Sequence, residues 1–298
     1  MSYRDFFGCT YPIVAAPMNR VSDAKLAIAC HNAGIFPSLS LYTWQNRHDP
    51  GINEHIVERE IKTFQDATGS NNILLSFLAA DLVHERICEL LVKSNIKYVE
   101  FIDGMRTKPL EDGKTIKEIF IERYSLDLKV LTKRLNAQGL FVPQALDGII
   151  FKGPEGAGRG EASINVEDEI KLLRIKYPTI PVIMSGGIST KKDIDKYLNL
   201  GCMAVCIGTL LAVSEESSIS VETKLKMIES SYQSVTRTRL TDQNALIFSA
   251  LPDDDKNNTY SLIAGIKTPN EGLVFAGKAL DIIKSIRPVK DIIQELVS

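Results

Sequence analysis

Two short apolar runs, Pro181–Met184 and Met203–Ile207, each give way to glycine beside a small hydroxyl residue, in I-P-V-I-M-S-G-G-I-S-T and G-C-M-A-V-C-I-G-T. Runs this short and this continuously apolar read as strands buried on both faces, which is a property of parallel sheets. Lys191–Leu200, between them, has helical spacing. The stretch therefore reads as strand, turn, helix, strand, turn. Gly186 and Gly187 let the backbone come close to a ligand, Ser189 or Thr190 caps the helix, and Gly208-Thr209 closes the other side. Bare N–H groups at such turns suit a phosphate-sized anion.

The same rhythm begins at the N-terminus. Tyr11–Ala16 is an apolar run broken by Pro17-Met18-Asn19; Ser22 is placed to cap a helix over Asp23–Asn32 with Leu26, Ala27 and Cys30 facing inward, and Gly34 ends it. Further strands are expected at Ile35–Leu39, Asn72–Phe77, Lys97–Ile102, Leu128–Leu131 and Gly148–Lys152, with helices over Glu54–Thr68, Leu82–Ser94, within Thr107–Tyr124 and over Val166–Tyr177. Eight strands in α/β alternation predict a (β/α)8 TIM barrel, and 298 residues exceed the roughly 250 that a barrel needs. The rhythm stops after Leu211. Residues 214–265 are read as a small helical lid inserted after strand eight. The barrel then comprises residues 1–213 and 266–298, closed by helices over Glu271–Ile286 and Val289–Val297.

Other features bear on chemistry. Strand six runs into G-P-E-G-A-G-R-G, Gly153 to Gly160, a loop that must turn sharply at what would be the catalytic end of a barrel. Glu100 lies mid-strand among apolar residues. A buried carboxylate needs a partner, so it belongs either to a polar network in the lumen or to the rim near Lys97, and the rim is the simpler choice. The loop around Trp44, Arg47 and His48 suits a site wall, with His48 and His55 as surface residues.

A formal net charge of −2 provides no basic field for nucleic acid. No run of about 18 apolar residues is available for a membrane helix, and no signal peptide is evident. Five cysteines without a C-x-x-C pair fit a reducing cytoplasm.

Taken in order, Y-P-I-V-A-A-P-M, A-G-I-F-P-S-L, N-I-L-L-S, G-P-E-G-A-G-R-G, I-P-V-I-M-S-G-G-I, I-G-T and V-F-A-G-K-A-L-D-I-I resemble the nitronate monooxygenase family and its relatives, the FMN-dependent enoyl-acyl-carrier-protein reductases. The resemblance implies FMN as cofactor. Ala16, Pro17 and Met18 would lie along its ring, Asn72 would hydrogen-bond its polar edge, and Gly153 would face it. Gly186, Gly187, Gly208 and Thr209, with Ser185 beside them, would hold the phosphate.

One departure matters. The family's loop usually reads E-A-G-G-H, and its histidine is the candidate base; here Arg159 stands in that place. A guanidinium stays protonated and cannot act as a general base, but it can bind an anion. Nitronates are already deprotonated and so tolerate the exchange best. The expected activity is oxidation of a small anionic substrate such as an alkyl nitronate by O2. The alternatives are reduction of an enoyl thioester with NAD(P)H as reductant, a catalytically silent flavin-binding scaffold, and a flavin-free barrel acting on a sugar phosphate. The expected partner is a small-molecule or acyl-thioester substrate, and a homodimer is left open.

Overall fold

In the computed structural model, residues 1–40, 54–77, 85–102, 113–134, 146–160, 164–240, 243–249 and 273–298 are described. The chain starts with helix α1 (Tyr3–Phe7), capped by the Ser2 hydroxyl and ended at Gly8 in the left-handed region. Strand β1 (Ile13–Ala15), helix α2 (Ala24–Asn32), β2 (Ser38–Ser40), α3 (Glu54–Thr68), β3 (Leu74–Phe77), α4 (Glu85–Lys93), β4 (Tyr98–Ile102), α5 (Ile116–Tyr124), β5 (Lys129–Arg134) and β6 (Gly148–Lys152) follow in alternation. A short strand β7 (Gly158–Gly160) precedes α6 (Val166–Lys176), β8 (Val182–Ser185), α7 (Lys191–Asn199), β9 (Ala204–Ile207), α8 (Thr209–Ala212) and α9 (Val221–Glu229). Strands β10 (Thr236–Leu240), β11 (Gln243–Ser249) and β12 (Leu273–Val274), then α10 (Val289–Val297), complete the described elements.

Eight strands form one parallel sheet in the order β1-β9-β8-β6-β5-β4-β3-β2. It closes on itself because Val14 of β1 bridges to Phe36, just before β2. The Ala15 N–H donates to the Phe36 carbonyl at 2.8 Å, and the Phe36 N–H donates to Ile13 at 2.9 Å. The result is a (β/α)8 barrel. Ile13, Leu75, Val99, Ile149, Val182 and Val205 point outward into a continuous core beneath the helices. Val14, Leu74, Leu131, Ile150, Ile183 and Ala204 point into the lumen, as alternation along each strand requires.

Helix α1 stops the N-terminal end of the lumen. Its Phe6 and Phe7 rings meet edge to face with centroids 4.7 Å apart, Phe7 meets Phe36 at 4.5 Å, and Phe36 meets Tyr98 at 4.9 Å. The Tyr98 hydroxyl donates to the Phe6 carbonyl. Any opening of the lumen is therefore at the other end, where the strands finish.

Several expectations need correction. Ser22 does not cap α2: Asp23 does, and the Ser22 hydroxyl instead accepts from the Met18 N–H at 2.9 Å and donates to the Ala16 carbonyl at 3.1 Å. Within residues 214–265, helix accounts for α9, but from Thr236 the chain is an antiparallel hairpin of β10 and β11. T-R-T-R-L places a threonine at every second position, a β-period that helical reading overlooks. The expected helix over Glu271–Ile286 is not formed among its described residues. The chain there has the short β12 and a 3-10 turn over Lys278–Asp281, and a Cβ on Gly277 would collide with the Glu155 carbonyl. Helix α10 does pack against α2 and α7, completing the outer ring as expected. His55 is exposed on α3, whereas Trp44, Arg47 and His48 lie outside the described residues.

Candidate functional site

The turns after β8 and β9 lie side by side because these strands are neighbours, and β1 follows β9. Gly186 and Gly187 have φ of +98° and +72°, values that a side chain disfavours. A Cβ on Gly186 would stand 2.7 Å from the Gly156 α-carbon, so the glycine-rich loop rests directly on this turn. A Cβ on Gly208 would lie 3.3 Å from the Ala16 Cβ and 3.6 Å from the Met18 sulfur. Among the described residues, the N–H groups of Gly186, Gly187, Gly208 and Thr209 donate to no acceptor. A tetrahedral dianion with several oxygen acceptors fits this cradle of unspent backbone donors. Glu155 stands beside it, with Oε2 2.6 Å from where a Gly187 Cβ would be and Oε1 3.4 Å from Lys278 Nζ. That carboxylate is nearly half exposed and already turned to a lysine, so it can leave the corner at small cost.

The structure thus brings Ala16, Pro17, Met18, Ser185, Gly186, Gly187, Gly208 and Thr209 to one end of the barrel. Ser22 pins the Ala16–Met18 turn, and the Thr209 hydroxyl accepts from the Gly277 N–H at 3.0 Å, tying the C-terminal segment to the cradle. Thr190 caps α7 in a reciprocal box with Asp193, and Ser189 bonds the same carboxylate. Burial alone would raise the Asp193 carboxyl, but the donors of Ser189 and Thr190 outweigh it and hold the group below its ordinary value.

Two residues do not face the cradle. Asn72 precedes β3, is exposed, and has its amide nitrogen 2.9 Å from where a Gly8 Cβ would be, so it belongs to the N-terminal end of the barrel beside α1. Gly153 is at the right end, but its α-carbon faces Met184 and Val166, where a Cβ would lie 2.8 and 3.2 Å from their side chains. Packing against β8 and α6 explains that glycine.

Arg159 sits in β7, which pairs antiparallel with β11 in the register Gly158↔Leu246, Arg159↔Ala245, Gly160↔Asn244. The loop expected to be merely glycine-rich is therefore anchored at its far end by the hairpin. Nothing local in G-A-G-R-G signals a partner strand 86 residues later, from 159 to 245.

Sequence reasoning also left a lumen cluster unassigned. Glu100 is completely buried, with Lys133 Nζ 2.6 Å from its Oε1. The choice between lumen and rim is settled for the lumen, and the partner is Lys133 rather than Lys97. The Cys206 thiol lies within electrostatic reach of Glu100, Lys133 and Lys152 and is hydrogen-bonded with Ser185; burial pushes it up to about 12. It remains a neutral thiol, not a nucleophile. All five cysteines are free.

Comparison with known proteins follows the same outline. A nitronate monooxygenase of Pseudomonas aeruginosa is 24% identical over 246 residues, covering 71% of this chain and 68% of the relative. A thiazole synthase of Flavobacterium psychrophilum is 26% identical over 176 residues, covering 57% of this chain and 64% of the relative. The aligned regions thus span 64% to 68% of these curated relatives. Among solved structures, FabK of Thermotoga maritima superposes with a TM-score of 0.77 at 18% identity, covering 99% of this chain and 94% of the other. A nitroalkane oxidase of Streptomyces ansochromogenes gives 0.73 at 18% identity, covering 98% and 96%. These two likenesses establish the fold. The family model for nitronate monooxygenase matches residues 2–247, most of the chain. The chain belongs to the nitronate monooxygenase family, a family of FMN-dependent oxidoreductases.

Proposed function

We propose that this protein is an FMN-dependent oxidoreductase of nitronate monooxygenase type that oxidises a small anionic substrate, such as an alkyl nitronate, with O2. The observation that carries the reading is the cradle of undonated N–H groups at Gly186, Gly187, Gly208 and Thr209, within a chain of this family. These groups would hold the phosphate, with Ser185 at the end of β8 beside them. Ala16, Pro17 and Met18, fixed by Ser22, would line the ring. Bound FMN supplies a two-electron acceptor that dioxygen can reoxidise.

Arg159 takes the part of an anion anchor in this reading. It cannot remove a carbon-bound proton, so the substrate must arrive already ionised, as a nitronate does. Residues 214–265, whose hairpin holds the Arg159 strand, are the lid.

Anaerobic mixing tests the assignment. Rapid bleaching of the flavin by an alkyl nitronate alone, and slow bleaching by NADPH, is the expected result. The reverse pattern would replace this reading with an enoyl-thioester reductase, and no bleaching by either would leave a silent scaffold.

A further inference from the structure

Behind the Gly186 turn, between α6 and α7, is a cleft of about 330 Å³ lined by Glu155, Val166, Met184, Gly186, Tyr197 and Lys278, among others. It adjoins the cradle on several sides. Gly186 belongs to both, the Glu155 carboxylate stands over Gly187, and Lys278 follows Gly277, whose N–H donates to the Thr209 hydroxyl. Tyr197 is 9% exposed, and its hydroxyl has no hydrogen-bond partner among the described residues. A buried hydroxyl without a partner is uncommon in a folded protein, and what exposure this one keeps is to the cleft that it lines. Burial, and after it the Glu155 carboxylate, pushes its ionisation up to about 12, so the hydroxyl keeps its proton and can donate. Lys278 Nζ is 3.4 Å from Glu155 Oε1, in a half-exposed pair that opens at small cost. Glu155 thus holds negative charge between the ammonium, the Gly187 corner and the surroundings of the Tyr197 hydroxyl. A second lysine of the cleft, Lys196, is engaged 3.1 Å from Glu167 and is left out of the site.

We infer that Lys278 and Tyr197 are the side-chain half of a phosphomonoester site whose backbone half is the glycine cradle. Backbone N–H dipoles alone leave much of a dianion's charge unmatched, and a lysine supplies the missing charge as a point cation. The cradle meets some of the phosphate oxygens; the ammonium and the hydroxyl meet those turned outward. Glu155 holds the place of the anion in the empty chain and gives way to it. The inference rests on the functional reading only in taking the phosphomonoester to be that of FMN.

The test compares FMN with riboflavin, which lacks the phosphate, by fluorescence titration into the whole chain, with inorganic phosphate titrated calorimetrically as a third probe. Wild type is expected to bind FMN more tightly than riboflavin. Lys278→Met should weaken FMN about tenfold or more, some 1.4 kcal/mol, and Tyr197→Phe about threefold or more, both leaving riboflavin unchanged. Glu155→Gln removes a competitor and should tighten both FMN and inorganic phosphate. Equal affinity of wild type for the two flavins, unchanged FMN binding in both variants, or riboflavin weakened as much as FMN overturns the inference. An effect in only one variant removes the other residue from the site, and unchanged or weaker binding in Glu155→Gln removes Glu155 from its part. If wild type takes up neither flavin, the functional reading fails and inorganic phosphate decides this inference alone. Phosphate binding that weakens in Lys278→Met and Tyr197→Phe upholds it; phosphate binding that is absent, or indifferent to both, overturns it.

Discussion

Gly156 and Gly186 come so close that a Cβ on Gly186 would stand 2.7 Å from the Gly156 α-carbon. Two loops that are 30 residues apart, from 156 to 186, thereby form one wall of the cradle. Gly186→Ala combines that collision with a φ of +98°. It should cost about 1–3 kcal/mol of stability, read as a lower urea midpoint, and it should release FMN. Full flavin occupancy in the variant would separate this turn from the phosphate.

Arg159 is expected to act in substrate binding more than in turnover. Arg159→Ala should raise the Michaelis constant for an anionic substrate about tenfold or more, some 1.4 kcal/mol, with a smaller change in kcat. Ala245→Pro, which places a ring in the strand opposite Arg159, should move the same constant in the same direction. A raised constant in the first variant with none in the second would leave Arg159 in the site but remove the hairpin from its positioning.

The α7 cap has a defined acid sensitivity. The folded Asp193 carboxyl lies below its ordinary value of 3.8, so its contribution is complete above that value and is lost as the pH falls through the lower, folded one. Asp193→Asn should cost about 1 kcal/mol at neutral pH, read by urea unfolding. The difference from wild type should hold down to about pH 5 and shrink below about pH 4. A gap that widened in acid would contradict the assigned hydrogen bonds.

Thiol chemistry should be silent in the folded protein. Burial pushes Cys202 and Cys206 up to about 12, and Cys30 is raised as well. Iodoacetamide at about pH 8 should label none of the three until urea is added, because the thiolate is the reactive form. Rapid labelling of Cys206 in the native protein would mean that the lumen is open to solvent.

The barrel was legible because its strands are buried on both faces and therefore appear as continuous apolar runs, Ile13–Ala15 before Pro17 and Ala204–Ile207 before Gly208 being the plainest. The turns after β8 and β9 were legible because glycine follows each of those runs. The Glu100–Lys133 contact was not, since a pair 33 residues apart leaves no periodic trace. Asn72 was placed by likeness alone, and position along its strand puts it at the other end. The hairpin of β10 and β11 was missed because the two-residue alternation of threonine and arginine was read as part of a helical region, and V-F-A-G-K-A-L-D mimics a helix that Gly277 interrupts against the Glu155 carbonyl.

The central claim is that the glycine corners after β8 and β9 hold a flavin nucleotide. Titrating FMN into the purified chain and following its visible absorption tests this most directly. Saturation at one FMN per chain, lost in Gly186→Ala, is the predicted result; a colourless chain that takes up no FMN would contradict it.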